Sequence, residues 1–247
     1  MGISRWNVKG RCALMEEMNL GWTIGMAGWL ACGAGMAGEW VEIPRHSTRA
    51  GEAGGFELGR CEATVSEFVE FLNGAGSGDF PGTAQIARRE GGRYAAKRGA
   101  GRQAVAEVTA AEARAYCAWR SRESGRTVRL PAEAEWEAAA RGGVDGAPFP
   151  WGWGGQPSEL AQFDAAGPAA EGGRFPANGF GLRDMAGNLY EWCAAEPPAP
   201  AGRRVARGGS WAERDPDLLK VDHRQYFPAD YRGRDVGFRA LRESGTR

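Results

Sequence analysis

Apolar residues fall at helical spacing in only three stretches of the chain. In Thr64–Asn73, Val65, Phe68, Val69 and Leu72 make one stripe, with Thr64 as N-cap, Glu67 closing a capping box and Asn73-Gly74 as the stop. A second capping box, Thr109-Ala-Ala-Glu112, opens a helix through Ala113, Tyr116, Cys117 and Trp119 to about Arg122. The third helix runs Pro131–Ala140, with proline in its first turn and Gly142-Gly143 ending it. Elsewhere apolar residues come in short runs between glycines. Trp40–Pro44, Val128–Leu130, Leu189–Cys193, Val205–Trp211 and Val236–Leu241 read as extended, whereas Gly51–Gly59 and the Gly/Arg-rich residues 74–104 read as loops. Three helices in an irregular, mostly β body predict an α+β domain. No repeat, low-complexity tract or linker divides residues 39–247.

The N-terminal segment has its own pattern. Arg5, Lys9 and Arg11 precede Leu20–Gly38, which carries no charge and ends in small residues. Residues 1–38 are therefore expected to be a signal peptide or membrane anchor, which places the protein in the cell envelope, periplasmic or secreted. Glu16 and Glu17 are unusual for such a leader, and a buried helix of a cytoplasmic protein is the competing reading.

Composition changes the picture in three ways. The chain has 39 glycines and 10 tryptophans, which suits irregular backbone packed on large flat side chains. Lys plus Arg equals Asp plus Glu, 31 each, so nothing suggests a nucleic-acid footprint. The five cysteines (Cys12, Cys32, Cys61, Cys117, Cys193) are widely spaced, so they make neither a zinc pattern nor a complete disulfide framework.

Five phrases carry a resemblance. They are Arg129-Leu-Pro-Ala-Glu-Ala-Glu-Trp-Glu-Ala-Ala-Ala-Arg-Gly-Gly143; Phe149-Pro-Trp-Gly152; Asn178-Gly-Phe-Gly-Leu-Arg-Asp-Met-Ala-Gly-Asn-Leu-Tyr-Glu-Trp192; Arg207-Gly-Gly-Ser-Trp211; and Gly237-Phe-Arg239. In this order they resemble the formylglycine-generating enzyme (sulfatase-modifying factor) family across roughly residues 40–243. The resemblance implies an elaborated C-type-lectin-like α+β fold, low in regular secondary structure. It also implies a structural calcium held by the side chains of Asp184 and Glu191 and the carbonyls of Gly187 and Leu189, oxygen donors that suit a hard cation. A second family calcium site would use Gln162 and Phe163, where the match is poorer.

The family's oxidation chemistry needs two cysteines after Arg-Gly-Gly-Ser, which bind copper(I) as soft thiolates. Here no cysteine follows Cys193, and Glu213 and Leu218 stand near those places. Copper is therefore not expected. Nor is iron, because the related sulfoxide synthases use a three-histidine site and this chain has only His46 and His223. Cys117 reads as a buried thiol, with a Cys117–Cys193 bridge as the alternative. The expected function is that of a non-catalytic binding or scaffold module, with an oxidoreductase of different metal-dependent chemistry as the alternative. Its candidate rim is Glu213, Asp222, His223, Arg224, Tyr226, Phe227, Tyr231 and Arg232, facing a protein, peptide or glycan.

Overall fold

The computed structural model describes residues 39–48, 51–53, 55–76, 79–165, 167–194 and 200–244. The segment predicted as signal or anchor lies outside them. In chain order the elements are β1 (Trp40–Ile43), β2 (His46–Thr48), β3 (Gly51–Ala53), β4 (Phe56–Gly59), α1 (Val65–Gly74), β5 (Ile86–Arg88), β6 (Tyr94–Ala96), α2 (Ala110–Ser124), β7 (Val128–Arg129) and α3 (Glu133–Ala140). There follow α4 (Pro157–Leu160), β8 (Tyr190–Trp192), β9 (Arg203–Arg207), β10 (Gln225–Pro228), β11 (Val236–Gly237) and β12 (Leu241–Glu243). This is the α+β class expected, with short elements joined by long irregular segments.

Two small sheets carry the fold. One has strand order β1-β4-β12-β7 and is antiparallel throughout; the other has order β10-β9-β8-β11, with β8 and β11 parallel. Strand β4 lies in the segment read as a loop, where it pairs with both β1 and β12. The predicted loop 74–104 contains the β5–β6 hairpin, turned by Gly91 and Gly92 at positive φ. Both capping boxes form as expected, at Thr64 with Glu67 and at Thr109 with Glu112. The third helix starts later than predicted. Pro131 precedes its first turn, and Glu135 Oε2 accepts the Ala132 amide at 2.8 Å.

The two long helices meet over an aromatic cluster. Phe68 and Phe71 of α1 and Tyr116 and Trp119 of α2 pack together with Phe238, the ring centroids of Tyr116 and Phe238 lying 5.1 Å apart. Such pairs add to area burial where regular elements are few. Trp136 and Trp192 are fully buried, whereas Trp151 and Trp211 are only half-buried. Cys117 and Cys193 are both buried thiols, so the alternative bridge is not formed. Burial pushes the Cys117 thiol up to about 12. Among the described residues no helix is long and apolar enough to cross a membrane.

Candidate functional site

The parallel pairing of β11 with β8 sets Gly237 opposite Glu191. A Cβ on Gly237 would meet the Val105 carbonyl oxygen at 2.4 Å, so this close approach requires glycine. Two residues on, Arg239 turns into the core with no exposed surface. Its Nε and Nη2 donate to the two oxygens of Glu191 at 2.7 and 2.6 Å. The remaining donors reach the carbonyls of Gly59 (3.0 Å), Arg60 (3.1 Å), Arg183 (2.9 Å) and Asp184 (3.2 Å). Trp136 Nε1 of α3 also donates to Glu191, at 2.6 Å. One guanidinium thus joins both sheets, α3 and the loop before β8.

More acid surrounds this pair than one arginine balances. Glu62 and Asp184 are also buried. Glu62 Oε1 accepts from Asn188 Nδ2 at 2.9 Å, while its buried Oε2 has no hydrogen-bond partner. Asp184 Oδ2 accepts the Gly173 amide. Burial, together with the nearby Asp184 charge, pushes the Glu62 carboxyl well above its usual range, and burial also raises Asp184. The predicted calcium donors lie on this loop. Gly187 is at φ +76°, and a Cβ there would strike the Gln162 carbonyl oxygen at 2.4 Å. Oxygen donors and excess buried negative charge suit a hard cation. Glu191 is the exception in the expected set, since Arg239 and Trp136 occupy its carboxylate. Gln162 of the second predicted site gives its carbonyl to the Asn188 amide and its side-chain oxygen to Arg174.

A second buried arginine organises the far side of α3. Arg207 Nη1 and Nη2 donate to Glu133 (3.1 Å) and Glu137 (2.7 Å), and its guanidinium lies 5.6 Å from the Trp136 ring centroid. Arg224 Nε shares Glu133 at 2.6 Å. His223, half-buried beside this pair, has an Nε2 without a partner; burial and then the Arg207 charge hold its pKa below the ordinary 6.5, opposed by Gln225, Glu213 and Asp222.

The predicted rim residues are held by several different contacts. His223 and Arg224 lie with Arg207, through its charge and the shared Glu133, and exposed Asp222 acts on His223. Glu213 is bonded to Tyr190, whose hydroxyl pKa is raised chiefly by burial. Arg232 is tied to the Glu107 carbonyl at 2.9 Å and to Glu112. Phe227 is a correction: it is buried, stacked on Tyr231 at 4.4 Å and edge-on to Tyr190 and Trp192. Tyr226 packs against the core, half-buried, and Tyr231 donates its hydroxyl to Asp235 at 3.1 Å. Alternation along β10 sends Phe227 inward, which a rim reading could not see.

The sequence reading missed a cleft of about 240 Å³ lined by Ala84, Gln85, Glu107, Pro168, Trp211 and Arg234, among others. Glu107 holds it together at φ +59°, a conformation costing a non-glycine residue about 1–3 kcal/mol. Its amide donates to the Gly233 carbonyl, its Oε2 accepts the Ala84 amide at 2.7 Å, and its Oε1 accepts Arg234 Nε at 3.2 Å. In the sequence Trp211 shows only as the end of a quoted motif.

The profile of the Sulfatase-modifying factor enzyme 1-like domain matches residues 26–244. The chain belongs to this family. Among relatives of the family chain, "Inactive C-alpha-formylglycine-generating enzyme 2" of Mus musculus is 36% identical over 158 residues, covering 57% of the chain and 49% of the relative. "Serine/threonine-protein kinase Pkn1" of Chlamydia trachomatis is 32% identical over 83% of the chain and 36% of the relative. The formylglycine-generating enzyme of Thermomonospora curvata is 37% identical over 43% and 44%. The matches thus span less than half of each of these relatives. In structure, CarF superposes with a TM-score of 0.67 at 18% identity over 84% of this chain and 98% of its own, which speaks to fold alone. PvdO from Pseudomonas aeruginosa gives 0.63 at 26% identity over 83% and 90%.

Two outcomes test this electrostatic account. Arg239→Met strands Glu191 in the core and is expected to cost about 3–5 kcal/mol in denaturant unfolding; a loss below 1 kcal/mol would contradict the pair's role. With its pKa lowered by folding, His223 takes up its proton at higher pH in the unfolded chain than in the folded one. Stability is therefore whole above pH 6.5 and falls as pH drops below it, and His223→Gln should flatten that part of a melting-temperature profile against pH.

Proposed function

We propose that this chain is a non-catalytic member of the family, acting as a binding module at the cell envelope or outside it. The observation that carries this reading is the absence of any cysteine after Cys193. The segment following Arg207-Gly-Gly-Ser210 offers Trp211, Glu213 and a polar turn where the family chemistry needs soft thiolates. Glu213 is engaged with Tyr190. The similarity to relatives named as inactive points the same way. The charge-free run Leu20–Gly38 behind a basic start supports export or anchoring through the N-terminus. The binding face in this reading is the cleft at Trp211, Glu107 and Arg234, bordered by Arg232; its ligand class is protein, peptide or glycan.

Calcium is the structural ion of this proposal. Asp184 with the carbonyls of Gly187 and Leu189 would hold it, and its charge would offset the buried carboxylates beside Glu62. It would stiffen the loop before β8 and take no part in chemistry.

The test of non-catalysis is a peptide assay. Full-length protein incubated with copper(I) and given a cysteine-containing sulfatase peptide in oxygenated buffer should give no aldehyde product by mass spectrometry. Turnover to formylglycine would overturn the reading. For calcium, chelation should lower the melting temperature by several degrees, and added calcium should restore it; an unchanged melt would remove calcium from the account.

A further inference from the structure

The cleft at Trp211 differs in size and lining from two other hollows among the described residues. Its volume is about 240 Å³, against about 50 Å³ for the crevice under Arg60 and about 30 Å³ for the one beside Trp151. An apolar cavity of roughly 150 Å³ holds benzene, and drug-sized ligands need about 300 Å³ or more. The space therefore matches one substituted aromatic ring.

The walls ask for no polar partner. Ala84, Ala106, Pro168 and Ala169 contribute apolar surface. Gln85 is internally satisfied: its Oε1 accepts the Ala106 amide at 2.8 Å, and its Nε2 donates to the Ala104 carbonyl at 2.9 Å and to Gln103 Oε1 at 3.2 Å. Trp211 Nε1 donates to the Arg234 carbonyl at 3.1 Å, so the indole turns only carbon surface to the space. The mouth is different. Arg234 has a side chain 70% exposed and meets Glu107 through Nε alone, so its two terminal nitrogens have no protein acceptor among the described residues. Glu107 is spent within the fold, between the Ala84 amide and that Nε. An arginine with a free fork suits a carboxylate, which it can bind through two parallel hydrogen bonds.

We infer that this cleft binds a single aromatic ring bearing a carboxylate, the ring seated against Trp211 and the carboxylate paired with Arg234. The inference rests on the binding-module reading; a polypeptide terminus falls within that reading's ligand class, and a free aryl acid extends it. The same chemistry arises in a free aryl-substituted acid and in the C-terminal aromatic residue of a polypeptide, and the arms of the test separate them.

The experiment is calorimetric titration of the full chain with three probes: N-acetyl-L-phenylalanine, its carboxamide, and the peptide Gly-Ser-Gly-Ser-Gly-Phe with a free C-terminus. At least one acid should bind, and the carboxamide should bind at least about tenfold more weakly than N-acetyl-L-phenylalanine. Binding of the small acid alone assigns a small-molecule ligand; binding of the peptide as well, or alone, assigns a chain terminus. Arg234→Gln, on the surface, should weaken acid binding about tenfold or more and leave the carboxamide unchanged. Ala84→Leu, an exposed position that fills the mouth, should abolish binding at an unaltered melting temperature. Absence of binding by both acids, equal affinity for acid and carboxamide, or binding unaffected by Ala84→Leu would overturn the inference. These outcomes are distinct from failure of the functional reading, which shows as aldehyde formation in the copper(I) peptide assay.

Discussion

Glu191 and Arg239 meet in the core with both side chains almost entirely out of water, and the rest of the molecule is arranged so that they can. A buried ion pair seldom stabilises a fold by itself, because desolvating two charges offsets most of their attraction. What it enforces here is geometry. Every donor of the guanidinium has an acceptor, and these acceptors come from β4, the turn after it, the loop at Arg183 and Asp184, and β8. Moving any one of these segments strands a charge. The short strands, weak as separate elements, are thereby fixed relative to one another, and Trp136 ties α3 into the same knot.

A scaffold locked from within leaves its outer loops free to differ. Arg207 repeats the device on the other side of α3, where it holds the segment from Val221 to Arg224 against Glu133 and Glu137. The cleft lies on loops that neither arginine constrains, and Glu107 gathers them by accepting from Ala84, Arg232 and Arg234. This division suits a binding role, with a fixed framework beneath a cleft built on loops.

How much of this was legible in the sequence follows from the length of each element. Helices α1 and α2 carry capping boxes and span three or four turns, so spacing alone located them. Strand β4 has four residues, too few for a period of two to stand out among glycines, whereas β11 falls within the run Val236–Leu241 read as extended. Strand β10 lay hidden because Gln225–Pro228 mixes polar and aromatic residues on both faces, and that made Phe227 look like a contact residue. The importance of Arg239 was visible only as part of a resemblance: its partner is 48 residues earlier, and only the parallel pairing of β11 with β8 brings them together. The cleft had no sequence signal as a unit, since its walls come from five separate loops.

The central claim is that this framework persists without the thiol chemistry of its catalytic relatives. Copper(I) affinity measures that most directly, because a thiolate pair binds the ion far more tightly than the oxygen groups that follow Ser210 here. In a competition titration of the full chain carrying Cys12→Ser and Cys32→Ser against a chromogenic copper(I) chelator, the account predicts that the protein, whose other three thiols are buried, withdraws no copper. Stoichiometric capture of one copper(I) per chain would contradict it.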